Sequence, residues 1–376
     1  MSGRRVLITG ATGFIGRQVL APLRERGFEV HAVSSRSGAD GGGEIVGGGE
    51  VGGGGGGGEV GGGGEVAWYH SDLPRSPSTE SSARGPSREV PWYHADLPRS
   101  TSTAASTGGP NGEVAWHHAD LLEPAAPQAL VEAVAPTHLL HFAWYAEPGK
   151  YWRSAENLRW VEASLALLRA FAQSGAAPRR VVVAGTSAEY AWSHRTHCVE
   201  GETPLEPATL YGASKRALHL VAERFAADAG MSLAWGRIFF VYGPGESPSR
   251  RAGAVARALV RGEPAETTHG EQVRDFLHTA DLGDAFAALL SSDVEGPVNM
   301  ASGEPVRVRD LVEALAQAAG RPDLVRLGAR PPARDEPADL TADARRLRDE
   351  VGWTPTGSLA QRAAETIAWW RERQGA

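Results

Sequence analysis

The first 36 residues read as a strand, a glycine-rich turn, a helix and a second strand. An apolar run, Arg5–Thr9, precedes the turn, and apolar residues at helical spacing follow it over 14–26. Gly27 is placed to end that helix, and residues 29–33 form the next strand. This order is a βαβ unit. Because such a unit joins two parallel strands through a helix, it constrains the chain to an α/β fold.

The same alternation resumes after residue 113 and predicts a doubly wound parallel sheet with helices on both faces. Beyond about residue 245, shorter strands mix with helices, which indicates a smaller second lobe. We therefore predict a Rossmann domain over 1–36 and 113–244, followed by a C-terminal lobe over 245–376. The predicted strands are 137–144, 179–185 and 231–241, and the predicted helices are 155–174, 210–229, 252–261, 279–291, 308–319 and 358–373.

Residues 37–112 interrupt this pattern with a glycine-rich, repeat-containing insert that we predict to be disordered. Three near-copies of one strand occur at 65–73, 89–97 and 113–121, with a period of 24 residues. Only one copy can fill a given position in a sheet. The third copy is favoured because it alone runs directly into a helical pattern.

Gly10, Gly13 and Gly16 lie between the first strand and the first helix. Glycines there permit a tight turn, close approach of a pyrophosphate and tight packing of helix on strand, with the helix N-terminus facing the phosphates. Thr12, Phe14 and Ile15 lie in the same loop. The three glycines alone also fit a simple tight turn, so only the surrounding motifs can distinguish that turn from a pyrophosphate-binding one.

Tyr211 and Lys215 are four residues apart on a predicted helix and therefore share one face. A neighbouring ammonium stabilises a phenolate and lowers the tyrosine pKa, which suits proton transfer to a carbonyl oxygen. The chain has seven tyrosines but only two lysines, Lys150 and Lys215, so a chance pairing at this spacing is a weak rival. The other alternative is a solvated helix face.

Together these motifs resemble the extended short-chain dehydrogenase/reductase family, in its branch that modifies nucleotide sugars. The resemblance covers residues 1–36 and 113–370. It is also carried by Asp120-Leu121 after a strand, by Arg274-Asp-Phe-Leu-His278, and by Asp343 with the later Gly-Trp-Thr-Pro355. It implies an NAD(P) cofactor, an adenine contact at Asp120 and Leu121, and a C-terminal lobe that mainly binds substrate.

The resemblance also implies a serine or threonine that bonds the same carbonyl oxygen as the tyrosine. Thr186, 25 residues before Tyr211, fits that position, and Ser187 is the close competitor and a candidate substrate contact. Arg274 is the candidate contact for a substrate diphosphate. Phe240 stands where the family has an asparagine that contacts the diphosphate.

The end of the second strand reads Ser34-Ser35-Arg36. Family members that prefer NAD have an aspartate there, whereas Ser35 and Arg36 suit a 2′-phosphate. NADP(H) is therefore favoured and NAD(H) is possible. The alternative is that Arg36 only begins the following loop.

The dehydratases of this branch carry an Asp-Glu pair after the catalytic threonine, and this chain has Ser187-Ala188 instead. Without those acid and base groups, 4,6-dehydration is not expected. The leading prediction is an NADPH-dependent ketoreductase acting on a 4-keto-6-deoxy nucleotide sugar. The alternative is a nucleotide-sugar 4-epimerase with the same Thr186, Tyr211 and Lys215. A third possibility is a catalytically silent nucleotide-binding protein.

Composition excludes other classes. The net charge of −7 without a long basic run argues against a nucleic-acid partner, and no stretch approaches the ~20 apolar residues of a membrane span. The absence of a signal-like N-terminus and the single Cys198 lead us to expect a cytoplasmic protein. We predict no metal site. Apolar stripes on the helices at 155–174 and 210–229, which pair across a two-fold axis in the family, predict a homodimer.

Overall fold

The computed structural model describes residues 3–35, 113–177, 179–193, 195–332 and 336–374. In chain order, the elements are β1 (Arg5–Thr9), α1 (Gly16–Glu25), β2 (Glu29–Ser34), β3 (Ala115–His118), α2 (Ala126–Val134), β4 (His138–His141), α3 (Glu156–Gln173), β5 (Arg180–Thr186), β6 (Arg195–Cys198), α4 (Leu210–Asp228), β7 (Ser232–Ile238), β8 (Phe240–Tyr242), α5 (Arg251–Arg261), β9 (Ala265–Glu266), β10 (Val273–Arg274), β11 (Phe276–His278), α6 (Thr279–Ser291), β12 (Gly296–Met300), β13 (Val306–Arg307), α7 (Val308–Ala319), β14 (Val325–Arg326), β15 (Asp339–Ala342) and α8 (Leu359–Gln374).

Seven strands form one parallel sheet in the order β3-β2-β1-β4-β5-β7-β12. This confirms the predicted doubly wound fold. The strand order reverses between β1 and β4, and ligands of such sheets bind in the crevice at the carboxyl ends of the strands on either side of that reversal. The glycine loop after β1 opens at this point.

The third strand copy fills the edge of the sheet, as predicted. β3 pairs with β2 in the register His31 with Ala115 and Ser34 with His118. The first and second copies, together with the rest of the predicted insert, lie outside the described residues.

Each face of the sheet has its own apolar core. One core contains Val19 and Leu23 of α1 and Phe286 of α6 against the sheet. The other contains Leu167 of α3 and Leu218 of α4. The strands are apolar on both sides because both faces are covered, as expected of a parallel sheet in this class.

The strand predicted over 231–241 is two strands. β7 ends at Ile238, where its neighbours β5 and β12 also end, at Thr186 and Met300. The Phe239 amide still donates to the carbonyl oxygen of Met300 at 3.4 Å, and β8 then turns away to pair with β11. This break leads the chain from the sheet into the lobe.

The lobe contains a four-stranded sheet, β13-β10-β15-β6, and two pairs of short strands. Helices α5, α7 and α8 pack around a third apolar core. The C-terminal segment also returns α6 and β12 to the main sheet. No helix in the described part of the chain is long and apolar enough to cross a membrane.

Candidate active site

In the glycine loop, a side chain would not fit at Gly10 or at Gly16. Gly10 has φ +71°, and a Cβ there would lie 2.7 Å from the backbone nitrogen of Ala143. A Cβ on Gly16 would collide with the carbonyl oxygen of Gly10. The Gly13 amide donates to that same oxygen at 3.0 Å and closes the turn. Glycine at Gly10 and Gly16 therefore permits a tight turn that packs closely on the residues after β4 and on the start of α1, as in dinucleotide-binding turns.

Helix α1 begins directly behind this loop. No side chain among the described residues caps its N-terminus. Arg17 folds back over the loop and donates to the carbonyl oxygens of Gly13 and Thr12 at 3.1 and 2.7 Å. Phe14 and Ile15 are half-buried and Thr12 is exposed. The positive end of the α1 dipole fits the phosphates of a dinucleotide.

The predicted adenine contacts follow β2 and β3. Ser35 and Asp120 are exposed, and the Asp120 carboxylate accepts the Leu122 amide at 3.0 Å. Leu121 is buried in the core below α2. Arg36, the residue predicted to hold a 2′-phosphate, lies outside the described residues.

The structure brings the two predicted catalytic elements together. Thr186 ends β5, and its hydroxyl oxygen accepts the Ala188 amide at 3.2 Å. Thr209 caps α4 by accepting the Gly212 amide at 3.1 Å. A Cβ on Gly212 would collide with the carbonyl oxygen of Ala188, so glycine permits the first turn of α4 to pack against the turn after Thr186. Ser187, the competitor, is buried in that turn.

Three aromatic rings surround the ring of Tyr211. Tyr151, Trp152 and Trp144 lie edge-on to it, with centroids at 4.9, 5.6 and 6.5 Å. The Tyr211 amide also donates to the carbonyl oxygen of Trp152 at 3.1 Å. These contacts fix the half-buried Tyr211 against the loop between β4 and α3.

Lys215 is fully buried one helical turn further along α4. Its ammonium donates to the carbonyl oxygen of Ala184 at 2.9 Å and lies 3.8 Å from the ring centroid of Trp144. Burial lowers the pKa of Lys215 to about 7, partly offset by the charge of Glu189. A lysine in this state titrates near neutrality, as proton-transfer sites commonly require.

Sequence reasoning did not find the buried ion pair behind Thr186. Glu189 accepts the Thr186 amide at 2.9 Å and the indole of Trp235 at 2.8 Å through Oε1, and accepts Arg237 Nε at 3.0 Å through Oε2. Arg237 also donates to the hydroxyl of Tyr190 at 3.0 Å. A glutamate three residues after a candidate threonine gave no local sign of burial.

Arg274, the predicted diphosphate contact, lies inside the lobe. Its guanidinium pairs with Glu336 at 3.0 Å and donates to the carbonyl oxygens of Pro337 and Ala338 at 2.7 and 3.1 Å. Burial lowers its pKa to about 10, against the opposing effect of Glu336. The Arg274 guanidinium also lies 5.3 Å from the ring centroid of Phe240.

A separate cavity of 390 Å³ lies between the turn after β12 and the segment after β15. It contains none of the predicted site residues. Its polar lining includes His197, Glu304, Asp343 and Arg345. In the described part of the chain, no cluster of three metal-ligating side chains is present.

The chain belongs to the NAD dependent epimerase/dehydratase family, whose model matches residues 6–47 and 87–301. This confirms the resemblance to nucleotide-sugar-modifying short-chain dehydrogenases/reductases. The chain is thus an NAD(P)-dependent enzyme of this family.

Two curated relatives are UDP-glucose 4-epimerases. The one from Corynebacterium glutamicum is 27% identical over 227 residues, which are 56% of this chain and 66% of the relative. The one from Streptomyces lividans is 29% identical over 255 residues, which are 61% of this chain and 74% of the relative.

Solved structures of this fold are similar over nearly the whole chain. A Thermus thermophilus UDP-glucose 4-epimerase in complex with NAD is 21% identical, with a TM-score of 0.67 and coverage of 98% of this chain and 99% of that one. MoeE5, in complex with UDP-glucose and NAD, is 25% identical with the same TM-score and the same coverage.

Proposed function

We propose that this protein is an NAD-dependent 4-epimerase of a UDP-sugar. The observation that supports the proposal is the packing of α4, which carries Tyr211 and Lys215, against the end of β5 at Thr186: Lys215 bonds the carbonyl oxygen of Ala184, and Gly212 packs on Ala188. The curated relatives support epimerisation over the ketoreductase reaction that the sequence alone favoured.

Each of the three residues has a chemical task at the sugar C4 oxygen. Tyr211 removes the proton of the C4 hydroxyl and later returns it to the same oxygen, while the hydrogen on C4 returns to the opposite face of the sugar. Lys215 stabilises the tyrosinate by its charge. The Thr186 oxygen already accepts the Ala188 amide, so its own hydrogen is free to bond the C4 oxygen.

We propose that the loop of Gly10, Gly13 and Gly16 holds the pyrophosphate of the cofactor, because it lies at the reversal of the strand order and leads into the N-terminus of α1. When bound, NAD supplies the hydride acceptor and donor for C4. The absence of a carboxylate at Ser34-Ser35 still favours NADP(H), whereas both solved structures named above hold NAD. An epimerase reoxidises its cofactor in every turnover, which is why we propose NAD.

Dehydration is not proposed, because the turn after Thr186 offers no free acid or base. Ser187 and Ala188 occupy the positions of the dehydratase carboxylates, and Glu189 faces inward to Arg237. Arg274 is not proposed as a direct contact for the substrate diphosphate, because its guanidinium is buried and paired with Glu336.

We also propose a homodimer through α3 and α4. Leu158, Leu220 and Val221 on these helices are 53%, 57% and 49% exposed. Other apolar residues of these helices face the core instead: Leu168 and Leu218 lie in it, and Leu165 and Phe225 pack against it. The remaining exposed residues still give an apolar surface that a second copy would cover.

The test is to incubate the purified protein with UDP-glucose, UDP-galactose, UDP-glucuronate and UDP-N-acetylglucosamine, without added cofactor, and to follow the C4 epimers by proton NMR. We expect interconversion of at least one pair, and loss of turnover in Tyr211→Phe with its bound cofactor retained. Enzymatic analysis of the released cofactor separates NAD from NADP. Consumption of added NADPH with a 4-keto nucleotide sugar, without epimerisation, would instead establish the ketoreductase.

A further inference from the structure

Glu189 bonds the backbone of Thr186, two residues beyond the β5 carbonyl that binds Lys215. Its Oε1 accepts the backbone amide of Thr186 at 2.9 Å, and so fixes the residue whose hydroxyl is proposed to bond the C4 oxygen. A Cβ on Gly185 would lie 2.7 Å from this oxygen, so glycine at that position permits the approach. One strand residue earlier, the carbonyl oxygen of Ala184 accepts the Lys215 ammonium at 2.9 Å.

The charge of Glu189 is held in place by a fixed set of donors. Arg237 on β7 pairs with Oε2, and both side chains are buried. Trp235, also on β7, donates to Oε1 at 2.8 Å. With its hydrogen bonds satisfied on both oxygens, the carboxylate keeps one orientation, as buried charges require.

We propose that Glu189 is a positioning residue: its carboxylate holds Thr186 through the backbone amide and, through its charge, stabilises the Lys215 ammonium across β5. The proposal rests on the function proposed above for Thr186 and Lys215. It adds a residue that touches neither the sugar nor the cofactor.

The other titratable groups around this pair are neutral or fixed. His219 on α4 lies 3.8 Å from Glu189, and burial together with the charges of Arg237 and Arg216 lowers its pKa to about 3. Burial raises the pKa of Tyr190, although Arg237 opposes it.

On the lysine side, His141 on β4 bonds the hydroxyls of Thr9 and Ser164 at 2.6 and 2.8 Å. Burial, with the charge of Lys215, lowers the pKa of His141 to about 3. Tyr211 shares the helix with Lys215. Among these groups, Glu189 is the one whose charge opposes the effect of burial on Lys215.

The test uses the fact that the chain has two lysines, Lys150 and Lys215. Labelling lysine with ¹³C at Cε gives two NMR signals, and Lys150→Arg identifies them. Lys150 is exposed and pairs with Glu147, so it reports any general effect within the same sample. The measured quantity is the midpoint pH of the Lys215 signal, which needs no turnover.

In Glu189→Gln, the side-chain carbonyl oxygen can still accept the backbone N–H of Thr186, but the side chain carries no charge. We expect the Lys215 midpoint to fall by about one pH unit, with Lys150 unchanged. In the matched control Trp235→Phe, Glu189 loses one donor and keeps its charge, so the Lys215 midpoint should stay at the wild-type value. An unchanged Lys215 midpoint in Glu189→Gln, or an equal fall in Trp235→Phe, would overturn the proposal.

If Glu189→Gln does not fold, Glu189→Gln with Arg237→Gln removes both charges and leaves neither unpaired. Because the Arg237 cation is lost as well, a smaller fall of the Lys215 midpoint is expected there. In an active enzyme, Glu189→Gln should lower kcat more than it raises KM, and the alkaline limb of the rate profile should move to lower pH with the lysine midpoint. A lysine shift in a protein without epimerase activity would support the role of Glu189 and refute only the proposed function.

Discussion

Lys215 and Arg274 are both buried cations, and their surroundings differ. Arg274 in the lobe pairs with the Glu336 carboxylate at 3.0 Å. Lys215 contacts a carbonyl oxygen and the face of Trp144, with no carboxylate at bonding distance among its described contacts. Burial lowers the pKa of Arg274 only to about 10, so its side chain stays charged at neutral pH, whereas the pKa of Lys215 falls to about 7. The Arg274 charge in the lobe is held in an ion pair, whereas the Lys215 charge beside the sheet can respond to a neighbouring tyrosinate.

The largest effect is expected for Lys215→Met. We expect a loss of kcat of roughly 10³-fold, within the range that proton-transfer groups contribute. The melting temperature should hold or rise, because an ammonium in an apolar site costs free energy. Turnover and thermal unfolding of the same preparation measure both. A lower melting temperature with near-normal turnover would mean that Lys215 is structural.

Arg274→Met should behave in the opposite way. Removing one partner of a buried pair leaves the other charge poorly compensated, and we expect a loss of about 3 kcal/mol in the free energy of unfolding. The expected loss is at the low end of the range for broken buried ion pairs, because Arg251 still pairs with Glu336 at 2.8 Å. Urea titration gives the free energy. Unchanged stability would contradict the structural role of this pair.

These contrasts were only partly accessible from the sequence. The glycine loop, Thr186 and the Tyr211–Lys215 pair were found because local spacing encodes a turn or a shared helix face. The Glu189–Arg237 pair joins residues 48 positions apart, and nothing in either local sequence marks a charged residue as buried.

The helices were predicted to within about two residues because their periodicity is local, as for α4 at Leu210–Asp228. The division of the strand at 231–241 was not predicted, since it depends on where β5 and β12 end beside it. The place of the third strand copy in the sheet was predicted from its continuation into α2. The lesson is that motifs report local geometry, whereas the electrostatic surroundings of Lys215 come from tertiary contacts.

The lowered pKa of Lys215 should also make the stability of the fold depend on pH. Lys215 has a folded pKa near 7, below its ordinary value of 10.5. Between these values the unfolded chain binds a proton that the folded chain does not, so raising the pH through this window stabilises the fold. The slope is up to about 1.4 kcal/mol per pH unit. Wild type minus Lys215→Met, measured by urea unfolding at several pH values, isolates this contribution. A flat difference from pH 7 to 10 would contradict it.

The smallest effect is expected in the insert. Deletion of residues 41–112 keeps the third strand copy and its continuation into α2, so cofactor binding should persist. Shortening the loop by this length changes its closure entropy by only about 1 kcal/mol, in favour of the fold. Soluble yield and bound cofactor are the readouts, with the full chain as control. Loss of either would show that the deleted segment is part of the fold.

In the proposed reaction, Tyr211, with Lys215 and Thr186 beside it, moves the proton of the C4 hydroxyl. The hydrogen bonded to C4 leaves and returns to the same carbon. The most direct measurement is the conversion of a UDP-sugar carrying deuterium at C4, in ordinary water, followed by NMR and mass spectrometry. The account predicts an epimer that retains its deuterium at C4, and no conversion in Tyr211→Phe. Loss of the deuterium to solvent, or a reduced product formed only with added NADPH, would contradict it.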